Sequence, residues 1–522
     1  MSYTVGLDFG THQTKICVED ATNPAQKIYE FFEFETPNGV NPVLFPSIVQ
    51  INKDDTVSYG FVDEINCKTI IYPNPVKPVL TLPHKPEKLP YPQIPQKKDL
   101  RGHSIKEQLL FQLNYEKYIE DWRRQCDIID GDYCINFGEY QKNKNKKEKD
   151  FEISLAKWEK DCLPKKQIYR YFKLATFSKQ QWEYSIEPEK ISVWYLTFVL
   201  FKLQEKYGND FFTQMGVPCS MEAQDTEIQI NIAYKILKSA NQLISKYENI
   251  DNFLKAKYTD LLQNTELVDC SAQDIIVYGI NVLPEAFAGL SSITQQGKLG
   301  GGMHLLIDIG GGTTDIAFFT IAYKEKLPNI HAVISFPQGL NYIFEEYIKE
   351  NDWLSMSEVQ QLFRNNQENF EKCVSYYHRK LKDNTDKMIL RVVQEFLNKR
   401  NIHGFNVSPI RNVLQDRPIV YCGGGSMYDL MMIKLASYDL TGGKLASFTE
   451  KKLIDKELLN ILYMKNKDID VLLFPILATS YGLSIPLENE ITMTPIEKLF
   501  DTLPQRNEKK DDGHNEYGLL DT

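Results

Sequence analysis

The chain writes one phrase twice. Residues 5–18 read VGLDFGTHQTKICV and residues 305–319 read LLIDIGGGTTDIAFF. With Asp8 set on Asp308, four identities fall at equal offsets: Asp8/Asp308, Gly10/Gly310, Thr14/Thr314 and Ile16/Ile316. Each copy is an apolar run, a turn of glycine and threonine, and a second apolar run, the pattern of a tight β-hairpin.

What such a hairpin can do follows from its residue types. Asp8 and Asp308 sit at the end of a buried strand. Gly10 and Gly310, Gly311 and Gly312 let backbone N–H groups approach an anion with no Cβ in the way. The hydroxyls of Thr11, Thr14, Thr313 and Thr314 add donors. A carboxylate needs a cation between itself and a phosphate. Hydrated Mg²⁺ keeps its waters and takes only one or two carboxylates, so it suits Asp8 and Asp308. Two such hairpins face to face would clamp a polyphosphate from both sides, whereas either one alone would be an ordinary turn. The DFG triplet also occurs in kinases, but no glycine loop or lysine strand precedes it and no HRD follows. Neither GxxxxGK[ST] nor GxGxxG is present. A third glycine turn, Gly423–Gly425, stands in PIVYCGGGSMYDLMMIKL, 418–435.

Bulk properties narrow the class. A length of 522 residues predicts two to four domains. A net charge of −10 argues against a nucleic-acid partner. The N-terminus lacks the basic and apolar regions of a signal peptide, and the most apolar run, Val193–Phe201, is too short to span a membrane. The expectation is a soluble, cytoplasmic protein with no membrane partner. Nine cysteines without a CxxC pair fit reduced thiols, and eight histidines without HExxH spacing argue against zinc.

Along the chain, strands are expected at 3–7, 15–19, 45–51, 333–336 and in FFTQMGVP before Pro218. Helices are expected at 104–126, 148–162, Ile191–Tyr207, Ile228–Leu243, Leu340–Lys349, 365–400 and 474–485. Leu109, Leu110, Leu113 and Trp122 are candidates for a buried helix face. The charge run KNKNKKEKD, 142–150, reads as a loop. Residues 73–95 hold eight prolines and read as an extended surface crossing, or as a strip that docks a partner. Gly300–Gly302 reads as a hinge or linker, and the polar tail from about 503 as disordered.

These residues resemble the actin-like ATPase superfamily, and most of all the nucleotide-binding domain of the seventy-kilodalton heat-shock chaperones. Five landmarks carry the likeness in the family's order: 5–18, 215–218 with 283–290, 305–319, 418–435 and 474–485. DIGGGTTD and IVYCGGGS are the nearest matches; about 65–190 has no counterpart. The resemblance implies an α/β fold of two similar ribonuclease-H-like domains facing across a nucleotide cleft. It divides the chain into a first domain, 1–299, with a helical and proline-rich insertion at about 65–190, and a second, 300–473. A helix at 474–500 returns to the first domain, and 501–522 is a tail. It implies an ATPase that takes ATP/ADP and Mg²⁺. Asp8 and Asp308 would hold the metal through water, and the hairpin residues would hold the β- and γ-phosphates. Gly423, Gly424, Gly425 and Ser426 would lie against adenosine.

Three places depart from the chaperones. Glu285, the candidate for orienting the attacking water, follows Pro284, whereas the chaperones have the reverse order. Its spacing in EAFAGL resembles actin, and the alternative is that it simply caps the helix Pro284 opens. Lys15 also resembles actin; it would supply positive charge, or be an exposed strand lysine. The chaperones' own phosphate lysine has no clear counterpart; Lys77 is one candidate. Tyr428 stands where they keep an arginine on adenine; it could stack there, or be an exposed helix position. Only about 35 residues follow Ser484, too few for the chaperones' substrate domain. Three uses of ATP stay open, in this order: a chaperone-like switch acting on a protein partner through the insertion, a filament-forming cytoskeletal ATPase, and a small-molecule kinase.

Overall fold

The computed structural model describes residues 2–22, 27–70, 77–178, 182, 184–218, 223–294, 302–321, 328–351, 353–403, 418–432, 449–452, 463–466, 469–485, 492–493 and 498. The fold is mixed α/β. Two compact units separate, Thr69–Lys166 and the rest of the described chain.

The larger unit is built on two sheets that repeat one strand plan. In the first, Tyr3–Asp8 pairs antiparallel with Gln13–Asp20, which pairs antiparallel with Ile28–Phe31. On its other side, Tyr3–Asp8 pairs parallel with Phe211–Val217, and that strand parallel with Ile280–Pro284. In the second, Gly302–Ile309 pairs antiparallel with Thr314–Ile321, which continues antiparallel to Pro328–Phe336. On its other side come Pro418–Cys422 and Thr449–Lys452, both parallel. The repeated phrases are thus the same hairpin at the same place in two sheets. The stretch 45–51, expected as one strand, is two short ones, Phe45–Pro46 and Val49–Ile51.

Helices bury the sheet faces. Pro188–Tyr207 is apolar nearly all round and packs against Ala223–Tyr247 in the core of the first sheet. Gly208, with φ +70°, ends it. Two further helices, Glu285–Thr294 and Phe474–Ser484, share a core with residues of both sheets: Phe31 and Cys17 from the first, Leu306 and Phe319 from the second. The second of these lies so close under the first strand that a Cβ on Gly6 would collide with the backbone of Ser480 and Ser484. Glycine is the residue that permits this approach. Among the described residues no helix is long and apolar enough to cross a membrane.

The Thr69–Lys166 unit corrects three expectations. Residues 104–162 form one helix, Ile105–Cys162, of 58 residues, rather than two helices and a loop. The run 142–150 contains no proline or glycine, and Lys144 pairs with Glu148 one turn on at 3.6 Å, so helix propagates through it. Leu109, Leu110 and Leu113 are exposed, not buried. The face that is covered carries Tyr115, Trp122 and Trp158, and the proline-rich segment covers it. Trp122 Nε1 donates to the Pro92 carbonyl at 2.8 Å and Tyr115 OH to the Pro95 carbonyl at 3.3 Å. Lys88 pairs with Asp130 at 2.5 Å, and Lys77 lies over the Trp158 ring. The segment therefore runs extended and antiparallel along the helix. Pro83, Pro86, Pro92 and Pro95 are half-buried at the three-residue spacing of polyproline II, and Pro78 is half-buried off that register. A short ladder, Thr69–Ile70 with Lys165–Lys166, closes the unit.

Of the remaining expectations, Gly300 and Gly301 and the tail 501–522 lie outside the described residues. The segment after Cys422 is two short 3₁₀ turns, Gly424–Met427 and Asp429–Met431.

Candidate active site

The two hairpin turns open on one cavity of about 630 Å³, within the range of small-molecule sites. Thirteen of the predicted residues line it: Asp8, Gly10, Thr11, Lys15, Glu285, Asp308, Gly310, Gly311, Gly312, Thr313, Gly423, Gly424 and Tyr428. The strand ends place the carboxylates, and the turns bring backbone N–H groups to the same space. Gly423 is held at φ +79°, and a Cβ there would strike the Asp308 carboxylate and the Ile309 backbone. The third glycine turn can therefore lie against the second hairpin only as glycine.

Four predicted residues do not reach the cavity. Thr14 is buried and shares a hydrogen bond with Ser47 at 3.2 Å. Thr314 is buried too, donating to the Gln338 carbonyl at 2.8 Å and meeting Tyr377 OH at 2.9 Å. Side chains alternate across a strand, so Lys15 and Asp315 face the cavity while the threonines before them face the core. Ser426 donates back to the Gly423 carbonyl at 2.8 Å, and Gly425 packs on Ile309. These four brace the turns from behind. Lys77 lies in the Thr69–Lys166 unit and is not a lining residue.

Several lining residues were not singled out beforehand. Asp315 stands directly opposite Asp308 across its strand pair, as Lys15 stands opposite Asp8. The quoted phrase contains Asp315, and the shared offset with Lys15 was a signal for it. Lys173, on the short helix Phe172–Phe177, is nearly fully buried and ion-paired with Glu285; nothing in YRYFKLATF marks it. His12, in the first turn, meets Asn341 at the start of helix Leu340–Glu350. Thr479 donates to Asp308 at 3.4 Å, and Gln360 and Arg364 line the cavity from one helix face.

The electrostatics are unbalanced. Asp8, Glu285, Asp308 and Asp315 face Lys15 and Lys173. Lys15 reaches Asp8 at 2.5 Å. Burial, reinforced by the charge of Asp8, pushes Asp308 up to about 6. Burial, Glu285 and Asp308 push Asp315 to about 8. Burial works against the Lys173 ammonium, but Glu285 and Asp8 outweigh it and hold that group above its ordinary range. The crowded carboxylates push Asp308 and Asp315 towards their neutral forms, and a bound cation would relieve that repulsion. Among the described residues no three histidine, cysteine or carboxylate side chains are placed to ligate an ion directly. The donor set therefore fits an ion that keeps its waters.

Comparison with known proteins adds little to this geometry. No family model matches the sequence and no curated protein matches it. Among solved structures, MreB5 of Spiroplasma citri bound to AMPPNP is similar at 11% identity and a TM-score of 0.37, over 92% of this chain and 95% of that one. The same protein bound to ADP gives 12% identity, a TM-score of 0.37 and the same coverage. At that TM-score the likeness carries no argument about this chain.

Proposed function

We propose that the cavity binds a magnesium nucleoside triphosphate, ATP, and hydrolyses it to ADP and phosphate in the manner of the actin-like ATPases. The observation that carries this reading is the meeting of two equivalent hairpins, each with an aspartate at its strand end, on one cavity. Asp8 and Asp308 hold the hydrated magnesium through its waters. The backbone N–H groups of Thr11 and Gly311–Thr313 hold the β- and γ-phosphates from opposite sides, while those of Gly10 and Gly310 donate to the Asp8 and Thr313 carbonyls and shape the turns. Lys15 and Lys173 place positive charge along the phosphate chain, where the sequence offered Lys15 and Lys77.

Glu285 orients water in line with the terminal phosphorus, and its pairing with Lys173 fixes the carboxylate before substrate arrives. Burial, with Glu285 and Asp308 beside it, favours the neutral form of Asp315, which can donate a hydrogen bond to a water or phosphate oxygen. Magnesium held by Asp8 and Asp308 would supply Lewis acidity and charge neutralisation at the phosphates. The hairpin N–H groups act on the same charge without reorganising. Gly423, Gly424, Met427 and Tyr428 bound the space left for the nucleoside.

No feature of the cavity belongs to the heat-shock chaperones alone, and a chaperone use is not proposed. The cytoskeletal alternative gains one observation: Lys15 and Glu285, the two features that resemble actin, both line the cavity. The test is phosphate release by wild type and Asp308→Ala, with and without Mg²⁺. Release should require Mg²⁺ and fall at least a hundredfold in the variant; equal rates would overturn the assignment. Light scattering on addition of ATP tests assembly.

A further inference from the structure

The helix Ile105–Cys162 has a second face, turned away from the proline-rich segment. We infer that a second copy of this chain docks antiparallel on this face, through a surface complementary to itself. The inference goes beyond nucleotide chemistry and does not rest on it.

Leu110, Leu113, Ile128, Ile135 and Ile153 lie on this face and are 57% to 65% exposed. Gly131 and Gly138 interleave with the central isoleucines, and a Cβ on either would meet nothing within 4 Å. These positions advance by 3.6 residues per turn, so a straight helix presents them in one row. Set a second helix antiparallel, centred on Tyr133. Ile128 then falls on Gly138, Ile135 on Gly131, Leu113 on Ile153 and Leu110 on Ala156. Large meets small at the centre, and apolar meets apolar towards each end. Parallel pairing would set isoleucine on isoleucine and glycine on glycine.

Charge selects the same direction. Residues 105–134 carry four basic and seven acidic side chains; residues 142–149 carry five lysines and one glutamate. Antiparallel pairing brings the acidic half onto the lysine run, with Glu120 meeting Lys146, whereas parallel pairing stacks lysine on lysine. Two like-charged meetings arise, Lys117 with Lys149 and Arg124 with Lys142, with Glu116, Asp121 and Asp127 alongside them. From Leu110 to Ala156 the face is about 70 Å long. At a helix width near 10 Å, two copies bury roughly 1,400 Å², the size of a stable interface.

Sedimentation velocity on the full chain is expected to show a concentration-dependent dimer. Gly131→Glu with Gly138→Glu fills both hollows and raises helix propensity. It should weaken association at least tenfold, with circular dichroism showing no loss of helix. For direction, Leu113→Cys and Ile153→Cys chains are prepared with Cys126 and Cys134 changed to serine. A disulfide should form when the two are mixed and in neither alone. A wild type that stays monomeric at every concentration overturns the inference. So does a double-glutamate variant that associates like wild type, or a disulfide within the Leu113→Cys chains alone.

Discussion

Asn341 reaches the imidazole of His12 across 329 residues of sequence, its Nδ2 lying 3.0 Å from Nδ1. The contact ties the tip of the first turn to the helix that follows the second hairpin. Gly311 packs on the same ring, close enough that a Cβ would meet Nδ1 at 2.9 Å. Burial, with the charges of Arg170 and Lys15, lowers the imidazole to about 4. Neutral His12 is therefore part of the folded state. A base depressed in this way adds stability above its ordinary 6.5, and that stability is lost as pH falls towards 4. The gap corresponds to at most about 3 kcal/mol. Denaturation of the nucleotide-free protein should show stability falling between pH 6.5 and 4, with a shallower slope in His12→Gln.

Asp308 should trade stability for function. Its carboxyl is held near 6, well above an ordinary aspartate, so the folded state favours the protonated form. The associated stability is complete below about 3.8 and disappears as pH rises through 6. At pH 8 the ionised group is a burden of about 3 kcal/mol at most. Asp308→Asn is expected to raise the melting temperature of the nucleotide-free protein while abolishing the stabilisation conferred by ATP with Mg²⁺. A variant that melts lower than wild type at pH 8 without ligand would contradict this.

The Lys173–Glu285 pair is buried on both sides, so removing one partner strands the other. Lys173→Met should destabilise the fold by about 3–5 kcal/mol and slow phosphate release more than tenfold. Adding Glu285→Gln should restore much of the stability and none of the turnover. A double-mutant cycle in urea, read beside phosphate release, separates the two roles.

Gly423→Ala introduces a side-chain carbon at positive φ, aimed at the Asp308 carboxylate. Backbone strain alone contributes about 1–2 kcal/mol. The collision should also displace the aspartate, so nucleotide affinity measured by calorimetry should fall at least tenfold. Gly424→Ala, where a Cβ meets nothing within 4 Å, is the control and should bind near wild type.

The repeat made the hairpins legible, but it misdirected the choice within them. Thr14/Thr314 and Ile16/Ile316 are identical because both hairpins bury the same side of their second strand, and burial tolerates little variation. The positions that face the cavity, 15 and 315, differ: lysine in one copy, aspartate in the other. On the second strand, identity between the copies thus marked packing, and chemistry lay at the position in between. Lys173 was hidden for another reason. It belongs to the cavity only because the short helix Phe172–Phe177 is folded over it, and no local pattern records that. The long helix was missed because solvated lysine and asparagine read equally well as loop. Its partner is a proline segment, which leaves no periodic apolar signature of its own.

A cradle made of two identical turns would accept a phosphate chain either way round. Lys15 opposite Asp8 and Asp315 opposite Asp308 remove that ambiguity, because one wall carries an ammonium group at the place where the other carries a carboxyl group. The backbone is pseudosymmetric and the field inside it is polar, so the ligand has a head end and a tail end before any base is recognised.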